Sequence, residues 1–155
     1  MKFVSLSATL LAFGLAAPLF AQQQAAVTLD GKKITMTYTP PESKTRAVAT
    51  FHSDTDLAFK GVAVPKGDYT IYVIALTGQW QLAINKANSA KAAYDSKLDL
   101  GRVAMTMGKP AAPAEECKIA LTKVATLAGK IEVTWNGTLA TVPFHVDRGG
   151  SDSEW

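Results

Sequence analysis

The sequence predicts an all-β fold, a single antiparallel β-sandwich of about nine short strands. Three observations predict it. Apolar and polar residues alternate with period two from Val27 onwards, and no long stretch carries a clean helical stripe. Turn signals recur along the chain, at Asp30-Gly31, Pro65-Lys66-Gly67, Thr77-Gly78 and Asn136-Gly137. Of the 155 residues, 48% are hydrophobic and 19% charged, against roughly 25% charged in a typical soluble protein. Such a chain can bury a core, which excludes intrinsic disorder and a coiled coil.

Residues 1–21 read as a secretory signal peptide. Met1-Lys2 is a short basic start, Phe3 to Leu19 is uncharged and mostly apolar, and Ala21 is a small residue before Gln22. An apolar run of about eighteen residues would also suit a membrane anchor. The Pro18 break and the polar Gln22-Gln23-Gln24 favour cleavage. The mature chain is expected to form one domain, residues 22–147, with a flexible tail over 148–155 and no further membrane span. The expected location is periplasmic or secreted. The formal charge of +3 includes Lys2, and the balance is too small and scattered for a nucleic-acid footprint.

Val27-Thr28-Leu29 and Ile34 to Tyr38 flank the Asp30-Gly31 turn, and Pro40-Pro41 then stops pairing. Ala47 to Phe51, Leu57 to Phe59 and Val62 to Val64 come next as short strands, and Pro65-Lys66-Gly67 has hairpin chemistry. Tyr69 to Leu76 is apolar almost throughout, so it reads as a central strand covered on both faces. A two-residue turn at Thr77-Gly78 puts Ile71, Val73 and Ala75 on one face with Trp80, Leu82 and Ile84. Tyr72, Ile74, Gln81, Ala83 and Asn85 then share the other. Residues 86–98 suit a helical turn or a long loop, and 109–115 an extended connector. Near the end, Asn136-Gly137 favours a turn with positive φ at both central residues, pairing Val133 with Ala140 and Ile131 with Val142.

Few residues carry chemistry. Cys117 is the only cysteine, so no intramolecular disulfide can form; alternating with Ile119 and Leu121, it reads as an inert buried thiol. Met105 and Met107 suit core packing better than copper, because no histidine or methionine closely follows the cysteine. His52, Asp54 and Asp56 fall at i, i+2 and i+4, a spacing that in an extended strand would converge on one face as a metal loop. His145 and Asp147 share the outward side of the last strand. Tyr72, Gln81 and Asn85 combine ring and amides in the manner of sugar-binding sandwiches. No nucleophile elbow and no phosphate loop is present, so no catalytic residue is assigned.

The segment Asp56-Leu-Ala-Phe-Lys-Gly-Val-Ala-Val-Pro-Lys-Gly-Asp-Tyr-Thr-Ile-Tyr72 resembles a bacterial family known as domain of unknown function 2911. Trp80-Gln-Leu-Ala-Ile-Asn-Lys, Tyr94-Asp95 leading to Asp99-Leu-Gly-Arg-Val, and Trp135 with Val142-Pro-Phe extend the resemblance over residues 27–146. It implies an exported β-sandwich without assigned activity, and it adds Asp99 and Arg102 to the candidate binding residues. Members usually carry a Trp-Arg pair and a Gly-Ala-Asn-Glu-like run before the Ala-Thr that matches Ala49-Thr50. Here that stretch is Glu42-Ser-Lys-Thr-Arg-Ala-Val. Only Arg46 carries over, as a further candidate.

The sequence therefore reads as an exported, non-catalytic module that binds a small molecule, a glycan or an envelope protein, with no cofactor. The alternative is a metal-dependent or hydrolytic enzyme using His52, Asp54 and Asp56, or His145. Dimerisation by strand addition is left open.

Overall fold

The computed structural model describes residues 22–41, 45–87, 93–112 and 116–148. The expected signal segment, and all of the expected tail beyond Arg148, lie outside the described residues.

The chain is an all-β sandwich of two antiparallel sheets, built among the described residues from twelve strands rather than about nine. Each sheet has six strands, and the first holds, in spatial order, β1 (Gln23–Leu29), β2 (Lys32–Tyr38), β3 (Arg46–Ser53), β6 (Gly67–Ile74), β7 (Gln81–Asn85) and β8 (Asp99–Ala104). The second sheet runs β10 (Lys118–Ala125), β11 (Ala128–Trp135), β12 (Thr138–Val146), β4 (Leu57–Phe59) and β5 (Val62–Val64), with β9 (Thr106–Gly108) also paired to β12. The short β9 and the glycine-interrupted β8 offer little alternation to read, so sequence pattern undercounts the strands. A 3-10 turn, Ser96–Leu98, leads into β8.

Where turn chemistry and alternation agree, register follows the sequence. Asn136 and Gly137 both take positive φ, and Val133 pairs with Ala140 and Ile131 with Val142. Tyr72 pairs with Ala83 and Ile74 with Gln81, as a two-residue turn at Thr77-Gly78 requires. The central strand β6 is buried over Thr70 to Val73. Pro65-Lys66-Gly67 differs from its expected hairpin: β5 and β6 belong to different sheets, and the segment is the corner between them. That corner is held by the Asp56 carboxylate, which accepts from the Lys66 amide at 2.8 Å.

Inward residues of both sheets form the core. Phe51 meets Phe59 edge-on at 6.4 Å, Phe59 lies 5.3 Å from Phe144, and Trp80 crosses to Trp135 at 5.7 Å. The Ile119 amide donates to the Tyr38 hydroxyl at 3.0 Å, tying β10 to β2. Cys117 and Met105 are buried. Burial pushes the Cys117 thiol up to about 12, as far from a reactive thiolate as the sequence suggests.

This packing leaves the outer face of the first sheet with an unusual composition. Arg46, Val48, Thr50 and His52 of β3 alternate with the core residues Ala47, Ala49 and Phe51 and the buried Ser53. Beside them stand Thr35 and Thr37 of β2, Asp68, Thr70 and Tyr72 of β6, Gln81, Ala83 and Asn85 of β7, and Arg102 of β8. Thr70, Tyr72, Ala83 and Asn85 are nonetheless buried. An outward residue of a sandwich is buried only when something covers it.

Candidate functional site

The cover comes in part from the connection between β7 and β8. Asn85 anchors it: its Nδ2 donates to the Asp95 carbonyl at 3.0 Å, and its Oδ1 accepts from the Ala87 amide at 2.9 Å. The Thr70 hydroxyl donates to the Ala87 carbonyl at 2.6 Å, and the Lys86 amide to the Leu98 carbonyl at 2.8 Å. Asp95 caps the 3-10 turn by accepting from the Lys97 amide. The connection thereby presents Tyr94 to the sheet, its ring edge-on to Tyr72 with centroids 4.5 Å apart.

Around these rings the candidate residues named from sequence assemble into one cluster. The Tyr94 hydroxyl donates to Asp99 Oδ2 at 2.6 Å, and the same phenol oxygen accepts from Arg102 Nη2 at 2.6 Å. Arg102 also reaches Gln81 Oε1 with Nη1 at 3.2 Å and Asp99 Oδ2 with Nε at 3.4 Å. Asn85 Nδ2 donates to Asp99 Oδ1 at 2.9 Å. Arg46 stands over both rings, 5.8 Å from the Tyr72 centroid and 5.5 Å from that of Tyr94. Register explains the convergence. Tyr72, Ala83 and Arg102 are direct neighbours across β6, β7 and β8, while Arg46 and Gln81 both pair with Ile74 one row along.

Burial raises the pKa of Tyr72, and burial reinforced by Asp99 raises that of Tyr94, so both phenols remain protonated at neutral pH. The Tyr94 hydroxyl, ahead of Asp99, holds Arg102 firmly in its charged form. The Tyr72 hydroxyl is enclosed and, among the described residues, has no hydrogen-bond partner. Such an arrangement offers a fixed ring platform, a guanidinium and amide groups. It offers no activated nucleophile.

The other histidine-bearing end of the face is built differently. His52 Nε2 lies 2.8 Å from Asp54 Oδ1, and Nδ1 lies 2.7 Å from Asp68 Oδ1. Hydrogen bonds to Asp54 and then Asp68 raise the His52 pKa, and the His52 bond lowers that of Asp54. Asp56 does not join them, because β3 ends at Ser53 and its carboxylate turns to Lys66. The two carboxylates that do meet His52 bond different ring nitrogens, so they bracket the ring rather than share one point with it. Among the described residues, no group of three or more His, Cys, Asp or Glu is placed to hold a metal ion. His145 is half-buried on β12, facing Ala128 and Ala58 in register, with Nδ1 3.1 Å from the Val146 carbonyl. Next to the His52 end lies a groove of about 340 Å³ lined by Thr35, Thr37, Thr50, His52 and Asp68 among others.

Two residues escape sequence reasoning. Tyr94, the hub of the cluster, stands in the family-like stretch before Asp99 but attracts no role there, since a lone ring in an irregular connection has no pattern. Asp68 is brought to His52 by the β3–β6 register, which alternation alone does not reveal.

Residues 47–144 match the family described as protein of unknown function, DUF2911, and this chain belongs to that family. The match starts one residue after Arg46 and is narrower than the span over which the sequence resembles the family. No curated protein and no solved structure matches the chain.

Proposed function

We propose that this DUF2911 family member is an exported, non-catalytic module that binds its ligand on the outer face of the first sheet, the one containing β3 and β6. One observation carries the reading: Arg46, Tyr72, Gln81, Asn85, Asp99 and Arg102, drawn from four strands, interlock around Tyr94 at one end of that face. A polar cluster assembled from distant parts of the chain and fixed by charge-assisted bonds is pre-organised for recognition. The edge-on Tyr72 and Tyr94 rings with the adjoining guanidinium and amide groups give a small polar molecule or a glycan something to lie against. A protruding segment of an envelope protein is the remaining ligand class.

The enzyme reading is weaker on the chemistry. A general base needs a free basic nitrogen, and both ring nitrogens of His52 face carboxylates that favour the charged imidazolium. If the reading is right, His52→Ala and His145→Ala leave any measured activity intact; an activity lost with either change would restore the enzyme.

Export rests on Met1-Lys2, the apolar run and Ala21. Fractionation and N-terminal sequencing should place the protein outside the cytoplasm with Gln22 first; a cytoplasmic chain retaining Lys2 would refute it. Native mass spectrometry of protein purified gently from that compartment tests binding itself. A co-purifying mass that is lost in Arg46→Gln supports the site, and one retained in that variant places binding elsewhere.

A further inference from the structure

The geometry points to an oxyanion as the group this face recognises, received by Arg46 above Tyr72, an inference that rests on the binding reading. The sequence has three arginines. Arg102 pairs with Asp99, and Arg148 pairs with Asp30 at 2.8 Å. Arg46 is exposed and meets two rings, and no carboxylate among the described residues pairs with it.

The acid of the cluster is already committed. Asp99 accepts from the Tyr94 hydroxyl, from Asn85 Nδ2 and from Arg102 Nε. The cluster thus holds two guanidinium groups and one carboxylate, which pairs with Arg102, so among the described residues the charge of Arg46 is left over. Arg46 lies over the Tyr72 ring, whose hydroxyl is a second unmet group among the described residues, in a residue only 2% exposed. A buried hydroxyl without a partner is costly to the free protein, and an incoming acceptor oxygen would relieve it.

The two needs have one answer. Stacking on rings holds a guanidinium while leaving its N–H edge free for the paired bonds that a carboxylate or phosphate accepts. Both phenols remain neutral donors rather than competing anions. At the other end of the face, Asp54 and Asp68 around His52 would repel the same ligand. The face is thus polarised, with an anion-receiving end at Arg46 and an acidic end where His52 and Asp68 line the threonine groove.

Calorimetric titration of the purified protein with inorganic phosphate, with succinate and with a neutral maltooligosaccharide, at constant ionic strength, tests this. The expected result is saturable binding of phosphate, succinate or both, weakened at least about tenfold by Arg46→Gln and only partly restored by Arg46→Lys. Tyr72→Phe, which keeps the ring, should weaken it by a smaller factor, and Arg148→Gln should change nothing. Phosphate alone would assign a phosphate-bearing ligand, and succinate alone a carboxylate. The inference is overturned if neither oxyanion binds, or if Arg46→Gln, with an unchanged urea midpoint, binds as well as wild type. Binding of the neutral sugar without either oxyanion would overturn it while leaving the binding face in place. No binding of any of the three, with no co-purifying mass, would count against both.

Discussion

Strand β3 (Arg46–Ser53) carries a polar cluster at each end of one face, and the two clusters have opposite character. At the His52 end, the side chains are 43%, 50% and 67% exposed for His52, Asp54 and Asp68, and the charges answer one another. At the Arg46 end, Asp99 is only 11% exposed, four strands and a connection contribute, and one cation is left over. The first arrangement is what solvent-exposed ion pairs do at a strand end, and such pairs contribute little. The second holds charged groups partly out of water, which persists only when hydrogen bonds offset the desolvation. Burial and distant origin, more than the kinds of residue present, separate a built site from a surface pairing.

The largest expected effect breaks the frame beneath the Arg46 end. A Cβ at Gly101 would stand 2.6 Å from Val62 Cγ2, where β8 meets the opposite sheet. Gly101→Val should cost about 3 kcal/mol by overpacking, read as a lower urea midpoint, and should loosen Asp99 and Arg102 with it. An unchanged midpoint would mean the sheets part there easily.

Asp99→Ala removes the acceptor of Tyr94, Asn85 and Arg102 together and should cost about 2 kcal/mol. Asp68→Ala, the matching change at the other end, should cost under about 0.5 kcal/mol. Equal losses would erase the contrast between the ends. Tyr94→Phe keeps the ring but loses the hydroxyl that links Asp99 to Arg102, and about 1 kcal/mol is expected by the same denaturation assay.

The smallest effect is a pH dependence at the His52 end. Asp54 and Asp68 raise the imidazole pKa above its ordinary 6.5. Their support is therefore fully present below 6.5 and is lost as pH rises through the raised value. Asp54, held below the usual carboxylate range, gives the opposite limb, lost only as pH falls through its depressed value. Because these groups are exposed and screened by solvent, the whole effect should be small. It should appear in the stability-versus-pH difference between wild type and His52→Gln, and be absent from the variant's own profile.

Much of this molecule is legible in its sequence. Period-two alternation and the Asn136-Gly137 turn yield the sandwich class and the β11–β12 register, because turn geometry and burial there demand the same pairing. The grouping of Tyr72, Gln81 and Asn85 on one face follows from the Thr77-Gly78 turn for the same reason. Corners are harder. Pro65-Lys66-Gly67 has the residues of a hairpin, but which sheet the chain enters next depends on a side-chain bond from Asp56 nine positions before Pro65. The His52, Asp54 and Asp56 triad would converge only if β3 continued past Ser53, where it ends. Tyr94 is out of reach because its place is set by Asn85 and Thr70 anchoring the connection, not by any period in its own segment.

The central claim is that the Arg46 end, not the His52 end, is the binding site. Amide-resolved NMR during a titration with inorganic phosphate tests it most directly. The account predicts saturable shifts at Arg46, Tyr72 and Tyr94, while His52 and Asp68 stay still at constant pH. Shifts confined to His52, Asp54 and Asp68, with Arg46 and Tyr72 unmoved, would contradict it.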